Sequence, residues 1–327
     1  MAILVTGVAG FIGASLSHVL LDQGREVVGI DNVNDYYDPI LKETRLDRLR
    51  LRDGFTFHKM DIADRTPVEE VFTHRTDISG IVHLAGQAGV RYSLVNPYAY
   101  THSNIEGHLV LMEAARRLRD LKHFVYASSS SVYGANTDFP FSVGDRTDCP
   151  VSLYAATKKS MELMSEAYAR MWMLPMTGLR FFTVYGPWGR PDMAAFIFIQ
   201  KMLAGQAIPV FNNGDMKRDF TYIDDIVSGV VGCLDRPPIT IDGGNEVPHA
   251  VYNIGNNKSE NLMDFIAILE RELGIKADID FKPMQPGDVR ETFADIESTR
   301  RDFGFEPTVT IAEGLPKVVS WYRDYYG

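Results

Sequence analysis

The sequence predicts an α/β chain: a doubly wound parallel sheet followed by a smaller C-terminal domain. Three observations carry this. Short apolar runs alternate with amphipathic segments through the first half, a glycine triplet follows the first run, and Gly/Pro punctuation rises beyond about Val184. Strands joined by crossover helices form a parallel sheet covered on both faces. The 327 residues suit one such domain with a smaller one appended.

Taken in order, Ala2–Thr6, Glu26–Asp31 and Phe55–Met60 read as strands, and Phe11–Gln23 has helical spacing through Phe11, Ile12, Leu16, Val19 and Leu20. Gly80–Ala85 and His123–Ser128 read as buried strands, with Leu94–Leu118 as one long helix between them. Ser152–Met173 is a helix with Ser152 as N-cap, and Met176–Phe182 is the strand after it. Past Val184 come Gly186-Pro187, Gly189-Arg190-Pro191, Asn213-Gly214, Pro237-Pro238, Gly243-Gly244 and Pro286-Gly287. Residues 1–183 are therefore expected to form the nucleotide-binding domain and 184–327 mainly the substrate domain, the chain crossing back near 220–255.

Composition narrows the function. Apolar residues make up 45% and charged residues 23%, both ordinary for a globular chain. A formal net charge of −10 argues against nucleic acid as a partner, since there is no bulk attraction for phosphate backbone. The first basic residue is Arg25, too late for a secretory leader, and the apolar run Ile226–Leu234 is too short to span a bilayer. Cys149 and Cys233 give neither a disulfide framework nor metal-ligand spacing, and the eight histidines show no metal-like pairing, His83 reading as core. The expectation is a cytoplasmic protein without a metal.

Gly7, Gly10 and Gly13 follow the first strand at G-x-x-G-x-x-G spacing, and Phe11 and Ile12 open the next helix. Glycines there permit a tight turn and close approach of backbone to a pyrophosphate, at which the helix N-terminus points its N–H groups. Between a strand and a helix this is the Rossmann-type dinucleotide signature. Asp31 ends the second strand, 18 residues after Gly13, with Asn32 beside it. A carboxylate at that position accepts hydrogen bonds from ribose hydroxyls and repels a 2′-phosphate, which selects NAD over NADP.

Tyr154 and Lys158 form Y-x-x-x-K, and i,i+4 spacing on a helix sends both side chains to one face. A tyrosine of pKa about 10 is a poor base near neutrality, so a neighbouring ammonium is expected to favour its phenolate. Upstream lies the serine run Ser128-Ser129-Ser130-Ser131, at the carboxyl end of a strand where ligands of such sheets bind.

These motifs, and the chain over essentially its whole length, resemble the extended short-chain dehydrogenases/reductases. Asp31–Asp38 with Leu41-Lys42 and Arg45-Leu46, Gln87–Ser93, and Arg180–Met193 resemble in particular the UDP-glucuronate 4-epimerases. The resemblance implies NAD as cofactor, a UDP-sugar as substrate and a homodimer formed through the two long helices. It implies that Asp61 and Ile62 contact adenine, that Leu84, Ala85 and Gly86 line the cofactor with their backbone, and that Asn104 is a structural, cofactor-linked residue. Aligned on Val132-Tyr133-Gly134, Ser129 falls on the family's catalytic Ser/Thr, beside Tyr154 and Lys158. Related 4,6-dehydratases carry Asp and Glu before that Val-Tyr-Gly, and related decarboxylases carry Glu at the position of Ser131. This chain has Ser130 and Ser131, which leaves no carbon acid–base pair.

Substrate contacts follow from the same likeness. Gln87 and Arg91 lie in a shared motif. Ser130, Ser131 and Thr183 offer hydroxyls to a C6 carboxylate, with Arg190 as the nearest cation. Pro209-Val210-Phe211 resembles the uracil-binding strand. Arg218 matches the diphosphate arginine, with Asp288 and Arg290 in a second candidate segment. The expected reaction is oxidation of the sugar at C4, rotation of the 4-keto sugar and re-reduction from the other face, with Tyr154 as base. Alternatives are a UDP-glucose/UDP-galactose-type 4-epimerase, a UDP-glucuronate decarboxylase and a non-catalytic NAD-binding protein. Lys42 and Arg45 are left without a role.

Overall fold

The computed structural model describes residues 1–238, 247–285 and 288–327; Gly243-Gly244 and Pro286-Gly287 lie outside them. The strands are β1 (Ala2–Thr6), β2 (Glu26–Asp31), β3 (Phe55–Lys59), β4 (Ile78–His83), β5 (His123–Ser129), β6 (Met176–Phe181), β7 (Thr183–Tyr185), β8 (Ile208–Phe211), β9 (Lys217–Tyr222), β10 (His249–Ile254), β11 (Ser259–Asn261) and β12 (Ile279–Lys282). The helices are α1 (Phe11–Asp22), α2 (Pro39–Arg50), α3 (Arg65–His74), α4 (Tyr92–Val95), α5 (Pro97–Tyr100), α6 (Gly107–Ala115), α7 (Leu153–Trp172), α8 (Ala194–Leu203), α9 (Ile223–Leu234), α10 (Leu262–Leu273), α11 (Glu297–Phe303) and α12 (Ile311–Tyr326).

A seven-stranded parallel sheet runs β10-β6-β5-β4-β1-β2-β3, which bears out the expected fold class. Strand order reverses between β1 and β4, the crevice where such sheets bind ligands. β1 shows why the sheet needs cover on both faces: Ile3 and Val5 enter one apolar core, Ala2 and Leu4 the other. Helices α1 and α9 cover the first face, α3, α6 and α7 the second. β10 lies far along the chain yet pairs with β6 from His249↔Met176 to Ile254↔Phe181. The smaller sheets are β11-β9-β7 and β12-β8, and Phe211 of β8 and Arg218 of β9 line the same crevice as Ser129 at the carboxyl end of β5.

Two elements depart from the sequence reading. The helix expected over Leu94–Leu118 is broken at Asn96-Pro97: α4 ends, Asn96 Oδ1 accepts from Ala99 N, and Pro97 starts α5. Proline lacks the N–H that a continuous helix requires at that point. The chain then runs through a π-helical stretch, Thr101–Glu106, before α6. The strand expected over Gly80–Ala85 is β4, shifted back to Ile78–His83, and Leu84-Ala85-Gly86 leave the sheet to wall the crevice.

Three histidines sit inside this core. His83 stacks on His108 at 5.2 Å and shares a 2.7 Å hydrogen bond with Thr6 Oγ1, while His123 reaches Thr177 Oγ1 at 2.9 Å. Burial, foremost, holds His108 down to about 3 and His123 to about 4, and His83 well below its ordinary value. The unfolded chain takes up these protons as pH falls below about 6.5 and the folded chain does not. Stability is therefore unaffected by these groups above that pH and falls progressively below it as the unfolded chain takes up protons that the folded chain excludes. Urea midpoints at pH 7.5 and 5.0 check this; equal midpoints would contradict it.

Candidate active site

The crevice is a cavity of about 920 Å³ that runs from the glycine loop to β8 and β9. Its floor is built from backbone. Gly7 has φ +73°, and a Cβ there would stand 2.7 Å from Ala85 N. A Cβ on Gly13 would stand 2.1 Å from Gly7 O, so α1 starts flush beneath the loop. Among the described residues no side chain caps the first turn of α1. Its N–H groups and dipole therefore face the cavity, which Gly7, Gly10, Phe11, Ile12 and Gly13 all line.

Asp31 stands beyond the loop. Its Oδ2 accepts from Ala9 N at 3.0 Å and its Oδ1 from Val33 N at 2.8 Å. Burial, the largest influence, raises its pKa against these two N–H groups and the Lys42 and Arg45 charges. Asn32 Nδ2 donates to Asp61 Oδ2 at 2.8 Å, which ties the ends of β2 and β3 together. Asp61, Ile62, Leu84, Ala85 and Gly86 complete this wall. An uncapped helix N-terminus for a diphosphate and a carboxylate for a ribose diol fit a dinucleotide such as NAD.

Ser152 Oγ accepts from Ala155 N at 3.1 Å and starts α7, which carries Tyr154 and Lys158 into the cavity. Ser129 sits at the end of β5 on the opposite wall, where its Oγ accepts from Ser131 N at 3.2 Å. That strand end is anchored from behind. Ser128 Oγ donates to Glu162 Oε1 at 2.6 Å, and Arg180 grips the same carboxylate with Nε at 2.8 Å and Nη2 at 2.9 Å.

Electrostatics at the phenol differ from the sequence expectation. Burial raises the pKa of Tyr154, and the Ser129 hydroxyl and the Arg190 guanidinium pull the other way. Lys158 is not among these influences. Its Nζ donates to Ala127 O at 2.8 Å, and burial lowers its pKa to about 8. The i,i+4 spacing does place both groups in one cavity, but a buried ammonium needs an acceptor and the end of β5 supplies one. Asn104 is fully buried behind the wall rather than on it. It accepts from Gln87 N at 2.9 Å and donates to Gln87 O and Thr157 Oγ1, each at 3.0 Å.

At the far end Gln87, Arg91, Ser130, Ser131, Thr183, Arg190, Phe211, Arg218 and Asp288 all line the cavity. Arg190 is held by Asp192, Nε to Oδ1 at 3.0 Å and Nη2 to Oδ2 at 2.5 Å, and Tyr36 Oη donates to the same carboxylate at 3.0 Å. Arg91 Nη2 donates to Asp288 Oδ2 at 3.0 Å, and its guanidinium stands 4.6 Å from the Phe211 ring centroid. Two expected residues lie elsewhere. Val210 is fully buried in the core, because strand alternation sends Pro209 and Phe211 to the cavity and Val210 away from it. Arg290 is two-thirds exposed and pairs with Asp215 at 3.0 Å; only its carbonyl turns inward, accepting from Arg218 Nη1 at 3.1 Å. The sequence reading gave no site role to Tyr36, Lys42 or Asp192, which also line the cavity. All three lie within or beside the segments that carried the resemblance.

A parallel sheet with a glycine loop at its switch point, and Ser, Tyr and Lys across the same crevice, define the class of the short-chain dehydrogenases/reductases. Within that class the chain belongs to the NAD dependent epimerase/dehydratase family, whose model matches residues 3–255. It is 47% identical over 335 residues to protein CapI of Staphylococcus aureus, covering 100% of this chain and 99% of that one. It is 46% identical over 333 residues to UDP-glucuronate 4-epimerase 3 of Arabidopsis thaliana, covering 99% of this chain and 77% of that one. The crystal structure of UDP-glucuronic acid 4-epimerase from Bacillus cereus, in complex with UDP-glucuronic acid and NAD, superposes with a TM-score of 0.91 at 35% identity, over 100% of both chains.

Proposed function

We propose that the chain is an NAD-dependent UDP-glucuronate 4-epimerase, interconverting UDP-glucuronate and UDP-galacturonate. The observation that carries this is one cavity holding Tyr154 and Ser129 beside the glycine loop, with hydroxyls at Ser130 and Ser131 where a carbon acid or base would otherwise stand and Thr183 lining the same cavity. The relatives named above support the substrate.

NAD, when bound, supplies reversible oxidation and reduction at the sugar carbon. Gly7 to Gly13 and the α1 N-terminus would hold its diphosphate, Asp31 and Asn32 a ribose, Asp61 and Ile62 the adenine, and Lys158 the other ribose. Tyr154 accepts the C4 hydroxyl proton and later returns it, with Ser129 orienting the hydroxyl. Ser130, Ser131 and Thr183 donate to the C6 carboxylate, and Arg190 offsets its charge. A 4-keto uronate is a β-keto acid, and firm carboxylate anchoring keeps its C5–carboxylate bond out of line with the ketone. Phe211 and Pro209 hold the uracil and Arg218 the diphosphate, so the sugar can turn while the nucleotide stays.

The same reading divides the chain near residue 183, with α9 and β10 returning to the cofactor side. It also takes the protein to be a homodimer, in which the exposed Leu94, Val95, Tyr98 and Leu163 on the α4–α5 and α7 helices would be covered. A cytoplasmic location belongs to this reading too; among the described residues no helix is long and apolar enough to cross a membrane.

Purified protein incubated with UDP-glucuronate and no added reductant should give UDP-galacturonate by proton NMR. A UDP-pentose with CO2 would make it a decarboxylase. Turnover of UDP-glucose alone would make it a glucose-type epimerase. NAD binding with no turnover of either sugar would make it a non-catalytic binder.

A further inference from the structure

Arg45, on α2, is 1% exposed, yet among the described residues no carboxylate lies within ion-pair distance of it. Its partners are four neutral oxygens. Nη1 donates to Ala9 O at 3.0 Å and Tyr37 Oη at 2.8 Å; Nη2 donates to Trp188 O at 2.5 Å and Gly189 O at 3.0 Å. Among the described residues its Nε has no partner. Burying a guanidinium with one donor unsatisfied is costly, and a leucine or methionine would fill the same volume without that cost. Packing alone therefore does not account for an arginine here.

What it joins does. Ala9 lies in the glycine loop, between Gly7 and Gly10, and its N–H is held by Asp31. Trp188 has φ +63°, a left-handed backbone that a non-glycine residue keeps only when its surroundings impose it. Gly189 is followed by Arg190, which lines the sugar end and acts on the Tyr154 phenol. One planar fork thus spans two loops about 180 residues apart in the chain. A lysine gathers its donors on one nitrogen and lacks the rigid fork that reaches the two loops from two separate nitrogens. The Trp188 ring has its own support from Arg48 at 4.5 Å and Trp321 at 5.4 Å, so its packing does not depend on Arg45.

We propose that Arg45 is a positioning residue for the epimerisation: it fixes the cofactor loop and the sugar-facing loop to each other, so that Tyr154, Arg190 and the glycine loop are held in one register. This rests on the reading of the site as an NAD-dependent epimerase.

Arg45→Met and Arg45→Lys test it through three readouts: NAD Kd on cofactor-free protein with no sugar present, kcat and KM for UDP-glucuronate at saturating NAD, and Tm. Losing hydrogen bonds from a charged donor should raise the NAD Kd about tenfold in Arg45→Met. Misplacing the sugar loop should lower kcat about tenfold in both variants, with KM changed by less than about threefold because the nucleotide is anchored elsewhere. A kcat within about twofold of wild type in both variants, with only Tm lowered, would overturn the proposal and leave Arg45 a folding residue. So would an unchanged NAD Kd in Arg45→Met. If Arg45→Met does not fold, Arg45→Lys carries the kcat test and should bind NAD more weakly than wild type. Wild-type protein that binds NAD but does not epimerise UDP-glucuronate would sink the functional reading alone, since the NAD Kd comparison needs no turnover.

Discussion

Tyr154→Phe should lower kcat for UDP-glucuronate by about 10²–10⁴-fold, the range that loss of a positioned acid–base removes, while leaving NAD affinity and Tm close to wild type. The ring lines the cavity and packs edge-on against Tyr100 at 5.9 Å, a contact that phenylalanine keeps. Only the oxygen is lost. The structure adds a condition to this prediction. Burial by the surrounding protein holds the phenol above its ordinary pKa. The positive nicotinamide ring of bound NAD would favour the phenolate by simple attraction. Activity in Tyr154→Phe within about threefold of wild type would remove the phenol as the base.

Gly13→Ala should abolish NAD retention and lower Tm. The added Cβ would stand 2.1 Å from Gly7 O, an approach no real Cβ makes, and the atom it meets is backbone rather than the tip of a flexible side chain. Relief requires α1 to lift off the loop that it supports. Overpacking of this kind costs about 1–3 kcal/mol and occasionally more, and the displaced helix N-terminus no longer faces the diphosphate. Cofactor content after gel filtration and a melting curve check both parts. A variant that keeps stoichiometric NAD would show that the loop tolerates a side chain and that the glycine serves only the turn.

Much of the site was legible in the sequence. The glycine spacing, the Y-x-x-x-K pair and the serine run each encode their requirement within a few residues. The fold class, β1 and β2, and α7 with its Ser152 cap appear where the sequence put them. The break at Asn96-Pro97 was legible too, since proline forbids the helix drawn across it. What stayed hidden concerns long side chains, or residues whose face depends on a distant partner. Val210 and Phe211 are neighbours in one apolar strand; only the register of β8 with β12 and the core beneath decides which one meets the cavity. Arg218 and Arg290 are both arginines near the nucleotide end, and the fold turns one side chain in and the other out.

The sequence by itself determined the chemistry this chain carries: a dinucleotide loop, an acid for the ribose, a phenol with a serine opposite, and hydroxyls in place of carbon acids. These depend on local spacing, because strand and helix periodicity fix which neighbours share a face. Only the tertiary structure decided which charges act on which groups: that Lys158 donates to the Ala127 carbonyl while the Arg190 charge favours the phenolate, and that Arg45 bridges Ala9 to Trp188 and Gly189. A buried cation takes whatever acceptor the packing brings within reach, and that acceptor comes from segments far away in the chain.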